Sequence, residues 1–376
     1  MKSAFIYSEL FSQYEFGPLH PFKTSRANIV YELCHRYRLL DRPWMKIVKP
    51  EPLCFEKLCL FHSSEYLNLL HAASSNAFAF EMLGCGLGTD ENPVFEGLYN
   101  LITLAAGATY RGAELLINGG YNLALNVFGG FHHAGRSHAE GFCYINDIGI
   151  VIAYLLQQGL KVAYIDLDAH HGNGIQDVFY SDNRVLKISL HESGKSLYPW
   201  SGFESEIGDG AGKGYNINIP LLQGTDDETY LYAFSQIVPP LLNIFAPDIT
   251  IALFGADAHH ADPLAHLNMS NHPLCRAAKI IIDLSPRLLA LGGGGYNIYV
   301  SARTWALVWA IMNKVTPEDI FLGAVGGMMY GPEAESGSLA EDAPLRTQGT
   351  IKENTQKEAE RVVRYIKETA FPLLGA

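Results

Sequence analysis

The sequence predicts an α/β fold: a single domain with a central, mainly parallel sheet flanked by helices. Three observations carry that reading. Short aliphatic or β-branched runs recur along the chain, helix-like segments separate them, and polar residues cluster directly after the runs rather than inside them.

The runs are SAFIYS at 3–8, NLALNVF at 122–128, KVAYIDL at 161–167, RVLKIS at 184–189, DITIALF at 248–254 and RLLAL at 287–291. Each is too short for a helix and apolar on both faces, as strands covered by helices on both sides are. The clearest helix starts at the capping pair Asn146-Asp147, continues through IGIVIAYLLQQ and stops at Gly159. With the runs on either side it makes a strand–helix–strand crossover. An irregular region is expected after Gly323, followed by a helix over about the last two dozen residues, whose weak apolar stripe suits surface packing. Without a Pro/Ser-rich linker or an internal repeat, residues 1–376 read as one domain.

At 376 residues and 48% hydrophobic, the chain can bury a large core. Its net charge of -12 disfavours nucleic acid and anionic membrane as partners but would attract a lysine-rich substrate. Six scattered cysteines without a CxxC pair suit reduced thiols rather than a disulfide scaffold or a thiolate zinc site. MKSAFIYSEL lacks the apolar core of a signal peptide, and no apolar run reaches a membrane span, so a cytoplasmic location is expected.

Four runs deliver polar residues at their carboxyl ends: GGFHHAGRSHAEGFCYIND, DAHHGNG, GADAHHAD and GGGGYN. In open α/β sheets ligands bind outside those ends, so the four segments point to one site. Asp166, Asp168 and His170 alternate along an extended chain and share one face. Such a set makes either a buried Asp-His network or a metal site. Asp257, from a different run, supplies the further carboxylate that favours the metal, with Asp168, His170 and Asp257 as ligands and open positions for water and substrate. Oxygen donors leave Zn²⁺ in front, with Fe²⁺ or Co²⁺ as alternatives. His132 and His133 suit proton transfer, one taking a proton from a metal-activated water and the other giving one to the leaving amine, with Asp166 and Asn173 orienting the rings. Tyr296, after four glycines, suits an oxyanion, or else is a packing tyrosine on a surface turn. The glycine run lacks the Lys-Ser/Thr of a phosphate loop. His138, His171, His191, His259 and His260 receive no metal role.

GGFHHA, GFCYIND, YIDLDAHHGNG, ISLH, GKGYNINIP, GADAHHADPL and LGGGGYN occur in the order found in zinc-dependent histone deacetylases and acetoin-utilisation proteins, bacterial members included. The resemblance runs from HPFKTSR near residue 20 to SARTW near 305. It implies the arginase-deacetylase fold, with a narrow acyl-lysine tube leading to Zn²⁺ on Asp168, His170 and Asp257. It implies acid–base catalysis by His132 and His133, with Asp166 behind the first, and Tyr296 as the residue that polarises the acyl carbonyl. Phe142 and Tyr198 match the rings of the tube, with Gly141, Gly294 and Leu264 nearby, Glu91 matches an acidic rim residue and Arg26 a product channel. Structural K⁺ (or Na⁺) is implied at Asp166, Asp168, His170, Ser189 and Leu190, and again at Phe179, Asp182, Val185 and Tyr215. Two departures stand out. Asn173 replaces an aspartate behind His133, which predicts a less basic His133. Phe131 follows two glycines where eukaryotic members often carry tryptophan, which leaves acyl-chain length open.

These features predict a metal-dependent amidohydrolase acting on N-ε-acyl-lysine in proteins, or on an acetylpolyamine or other small acylated amine. A binuclear manganese ureohydrolase would need an additional bridging D-x-D, whereas Asp257 is followed by Ala258-His259. A non-catalytic binder would usually have lost a ligand or the tyrosine, and here all are present.

Overall fold

A computed structural model describes residues 1–75, 80–317, 339–341 and 343–375. The irregular region expected after Gly323 lies, through residue 338, outside the described residues. Eight strands form one sheet: β1 Ser3–Ile6, β2 Met45–Val48, β3 Leu123–Asn126, β4 Val162–Asp166, β5 Val185–Glu192, β6 Asn216–Leu221, β7 Ile249–Leu253 and β8 Leu288–Leu291. Their order is β2-β1-β3-β8-β7-β4-β5-β6. Every pairing is parallel, so all carboxyl ends lie along one edge.

The six runs named from sequence are strands, and the two edge strands were not named. Neither edge strand reads as an uninterrupted apolar run, although β6 is buried throughout. In β2 only Met45 is buried, and β6 carries Asn216, Asn218 and Pro220, a composition tolerated where one side of the ladder needs no partner.

Helices cover both faces. In β1 successive residues point opposite ways. Phe5 meets Trp309 of helix Ile298–Met312 edge-on, with 5.2 Å between ring centroids, while Ile6 lies against helix Leu98–Asn118. That helix approaches closely enough that a Cβ at Gly112 would be 2.6 Å from Leu289 Cδ1. Trp305 and Trp309 are fully buried, and their indole N–H groups donate to Phe254 O at 2.7 Å and Leu39 O at 2.8 Å.

The helix starting at Asn146 spans Asp147–Gln157, and Asn146 Oδ1 accepts from Gly149 N. It joins β3 to β4 as expected, but the two strands are not neighbours: β8 and β7 lie between them. Those late strands insert at the centre, and all four carboxyl ends that carry polar segments become adjacent. The C-terminal helix Gly349–Thr369 buries Ala359, Val362, Val363 and Ile366 and packs on helix Asp227–Phe245 and β6. Among the described residues no helix is long and apolar enough to cross a membrane. All six cysteines are free.

Candidate functional site

The extended chain beyond β4 is held by its own carboxylates. Asp166 Oδ1 accepts from Asp168 N–H (3.1 Å), Asp168 Oδ1 from His170 N–H (3.0 Å), and Asp257 Oδ1, arriving from beyond β7, from Ala169 N–H (2.9 Å). Alternation then turns Asp168 and His170 toward Asp257. The loop after β8 closes over them, with Gly294 N–H donating to Asp168 Oδ2 at 2.6 Å. Only glycine fits there, since a Cβ would be 2.1 Å from Asp257 Oδ2.

The histidine pair is set by the start of helix Asp147–Gln157. Buried Asp147 accepts from Gly130 N–H (2.9 Å) and Phe131 N–H (2.8 Å), and the Asn146 amide donates to His132 O and Ala134 O. The GFCYIND segment therefore anchors the GGFHH loop. His132 Nδ1–H donates to Asp166 Oδ2 at 2.8 Å, and the same oxygen accepts from Tyr164 OH at 2.6 Å. His133 Nδ1–H donates to Asn173 Oδ1 at 2.7 Å, and the two Nε2 atoms face each other at 3.1 Å. Burial alone would lower His132, but the Asp166 and Asp168 charges outweigh it and raise that imidazole. His133 lies well below the ordinary range, through burial and then the cationic His132 and His170, with its bond to Asn173 opposing only in part.

Asp168, His170 and Asp257 are all buried and present ligand atoms within 4.8 Å of one another. His170 Nδ1 is 2.8 Å from Asp257 Oδ2 and 3.2 Å from Asp168 Oδ1. Burial would lower His170, yet hydrogen bonds to the two carboxylates raise it to about 10, and burial beside Asp168 pushes Asp257 up to about 8. A proton held between two buried carboxylates is where a divalent cation would balance the same charges, so the donor set fits a metal. A second group, His259, His260 and Glu341, is equally close. There both His259 nitrogens are engaged, Nε2 with Glu341 Oε1 at 2.6 Å and Nδ1 with Ala261 N–H at 3.1 Å.

One narrow cavity brings together Arg26, His132, His133, Gly141, Phe142, Asp168, Gly294 and Tyr296. Gly141 and Phe142 both have positive φ, +53° and +68°, as the central residues of a tight hairpin closed by reciprocal bonds between Glu140 and Cys143. The phenylalanine accepts that left-handed conformation, and its ring stands edge-on to Tyr296 at 5.7 Å. Tyr198 meets the His133 ring at 5.2 Å. Burial, then Asp257 and Asp168, hold the Tyr296 phenol well above its ordinary value. Its backbone N–H and that of Leu264 are both held by Asp262, at 2.7 and 2.9 Å. Burial lowers Arg26 to about 10, and its guanidinium lies 4.1 Å from the centre of the Phe22 ring. Phe131 packs against Phe22 and Phe128 beside it. Glu91 is exposed, and its carbonyl meets His20, whose ring rests 4.6 Å from Phe142.

Register places Ser189 opposite Asp166, with Leu190 next along β5. At the other set, Lys187 Nζ donates to Phe179 O at 2.6 Å and Val185 O at 3.2 Å, and Lys187 N–H to Tyr215 O at 2.9 Å. Sequence reading missed Lys187, Tyr164, Asp262, Asp147 and Glu140. Asp147, Asp262 and Glu140 meet Phe131, Tyr296 and Asn173, all distant in sequence, whereas Lys187 bonds the nearby Phe179 and Val185 carbonyls and Tyr164 alternates with Asp166.

The Histone deacetylase domain profile matches residues 20–312. The chain is 36% identical over 323 residues to the acetoin utilization protein AcuC of Bacillus subtilis, covering 84% of this chain and 83% of that one. To histone deacetylase RPD3 of Saccharomyces cerevisiae it is 34% identical over 315 residues, 83% of this chain and 72% of the relative. Among solved structures, an HDAC homolog complexed with SAHA superposes with a TM-score of 0.85 at 31% identity, over 96% of this chain and 100% of that one. An HDAC homolog from Aquifex aeolicus gives 0.84, with the same identity and coverage. Together with the parallel sheet and the residues gathered at its edge, these matches establish that the chain belongs to the histone deacetylase family.

Proposed function

We propose that the protein is a metal-dependent deacylase that hydrolyses N-ε-acetyl-lysine, or a related acyl-lysine, in proteins. The observation that carries this reading is a narrow cavity lined by a histidine pair, a tyrosine and Asp168, with His170 and Asp257 grouped on that aspartate as a buried candidate ligand set. Asp168, His170 and Asp257 would hold the ion, Zn²⁺ on this reading. When bound, the ion supplies Lewis-acid polarisation of the acyl carbonyl and acidifies water. His133, uncharged through burial and holding its Nδ1 proton against Asn173, keeps Nε2 unprotonated, and this atom, which faces His132 Nε2 at 3.1 Å, takes a proton from the attacking water. His132, kept protonated by Asp166, electrostatically supports the developing charge, and the histidine pair returns a proton to the leaving amine. The Tyr296 hydroxyl, held neutral by burial, donates to the developing oxyanion. Phe142 and Tyr198 flank the acyl-lysine stem, with Gly141, Gly294 and Leu264 beside them and Glu91 at the rim. Arg26 lines the inner cavity as an exit path. A monovalent cation, K⁺ or Na⁺, belongs on this reading at Asp166, Asp168, His170, Ser189 and Leu190. The catalytic domain spans residues 1–376, acts in the cytoplasm and binds neither nucleic acid nor membrane.

The test is turnover by metal-reconstituted protein on acetyl-, propionyl- and butyryl-lysine peptides beside acetylspermidine and acetylputrescine. Peptide hydrolysis lost to a chelator and restored by Zn²⁺ is expected. Hydrolysis of acetylpolyamines alone would move the assignment to small acylated amines, and no turnover of either class would end it.

A further inference from the structure

Behind His133 stands an asparagine, and behind the asparagine a carboxylate. Asn173 Nδ2 donates to Glu140 Oε1 at 3.1 Å, while Asn173 Oδ1 accepts from His133 Nδ1–H. An amide can face a histidine with either end, and the two orientations impose opposite tautomers on the ring. Ionised Glu140 removes the choice, because a carboxylate only accepts and the end facing it must be NH₂. Glu140 is itself held by Tyr198 OH at 2.6 Å and His138 Nε2 at 3.0 Å. Burial alone would raise it, but these partners and Asn173 keep it below its ordinary value.

We propose that Glu140 is a positioning residue of the acid–base site: through the Asn173 amide it fixes the Nδ1–H tautomer of His133 and stands in, one residue removed, for the carboxylate that position 173 lacks. The proposal rests on the deacylase reading for its kinetic consequence only. E140A is expected to lower kcat tenfold or more. Y198F, which removes only the phenol's bond to Glu140, should alter KM more than kcat. The decisive comparison is N173D in both backgrounds. With Glu140 present it places two carboxylates together and should lower kcat; in E140A it supplies its own acceptor and should restore kcat to within about threefold of wild type. A role in folding alone would not reverse the sign of that substitution. ¹⁵N NMR of labelled histidine reads the tautomer without turnover: His133 should be Nδ1–H in the wild type and mixed in E140A. An unchanged tautomer in E140A, or an equal effect of N173D in both backgrounds, overturns the proposal, whereas absence of wild-type turnover counts only against the deacylase reading.

A different observation concerns the second monovalent site. Lys187, only 4% exposed, places Nζ on two of its four carbonyls, its own N–H occupies Tyr215 O, and Val185 N–H occupies Asp182 O at 3.4 Å. The Lys187 amino group stands between the Phe179 and Val185 carbonyls where a cation would sit, so the site does not fit one. Burial pulls Lys187 down to about 7, with Asp182 opposing, but either protonation state supplies the N–H groups these carbonyls accept. We infer that the Lys187 amino group is a tethered replacement for the second cation. In crystals soaked in RbCl, anomalous scattering should show no ion at the Phe179 and Val185 carbonyls of the wild type and one in K187T or K187M. The melting temperature of those variants should rise with K⁺ more than that of the wild type. A wild-type Rb⁺ peak there overturns the inference, as do folded variants with neither peak nor K⁺ dependence.

Discussion

Tyr296→Phe should lower kcat on an acyl-lysine peptide about 10²–10³-fold, the cost of losing one donor to an oxyanion in a water-poor site. The ring is kept, so its edge contacts with Phe142 and His170 persist and KM should change little. His133→Ala should cost about 10²–10⁴-fold by removing the proton acceptor. In the proposed mechanism the two groups serve one transition state, so the double variant should lose much less than the product of the single losses. Steady-state kinetics, with melting temperatures to establish folding, test this. Either single variant retaining wild-type kcat removes that residue from the mechanism. His132 is a different kind of position. Its replacement would leave fully buried Asp166 with only Tyr164 OH and Asp168 N–H as donors, so stability should fall as well as rate.

Acid should destabilise the fold through buried histidines that remain neutral. His62 is lowered to about 3 by burial; it donates from Nδ1 to Arg136 O at 3.3 Å and accepts Asn146 N–H at Nε2, 2.9 Å away. His191 is lowered to about 4, also by burial, and is held by Ser189 Oγ and Gly202 O. In both, the folded pKa lies below the unfolded one. As pH falls the unfolded chain takes up the protons first, so the stability is present above about pH 6.5 and is lost toward pH 3–4. At about 1.4 kcal/mol per pH unit for each group, the loss at pH 4 is several kcal/mol, comparable with a typical total of ~5–15 kcal/mol. Asp147, raised by burial, contributes in the opposite sense. Denaturation midpoints at pH 7, 6, 5 and 4 should decline below 6.5. His62→Gln, which keeps an acceptor for Asn146 N–H, should lower the midpoint at pH 7 and flatten the decline. Parallel declines in the two proteins would show that His62 does not carry the effect.

What could be read from one dimension was whatever local periodicity encodes. Buried strands announce themselves as apolar runs because helices cover both faces, and the Asn146 cap marks its helix because a helix start needs an acceptor nearby. Asp166, Asp168 and His170 were legible for the same reason: alternation puts them on one face without any knowledge of the sheet. Asn173 was visible as a departure, but not what stands behind it.

Only the tertiary structure decided the order of the strands, since pairing depends on contacts between residues far apart in the chain. β7 and β8 entering between β3 and β4 is what carries Asp257 and the Gly292–Tyr296 loop to Asp168 and His170. It likewise decided that Glu140 orients Asn173 and that Lys187 reaches the Phe179 carbonyl. Hydrogen bonds of that kind are fixed by where a side chain ends, and a sequence records only where it begins.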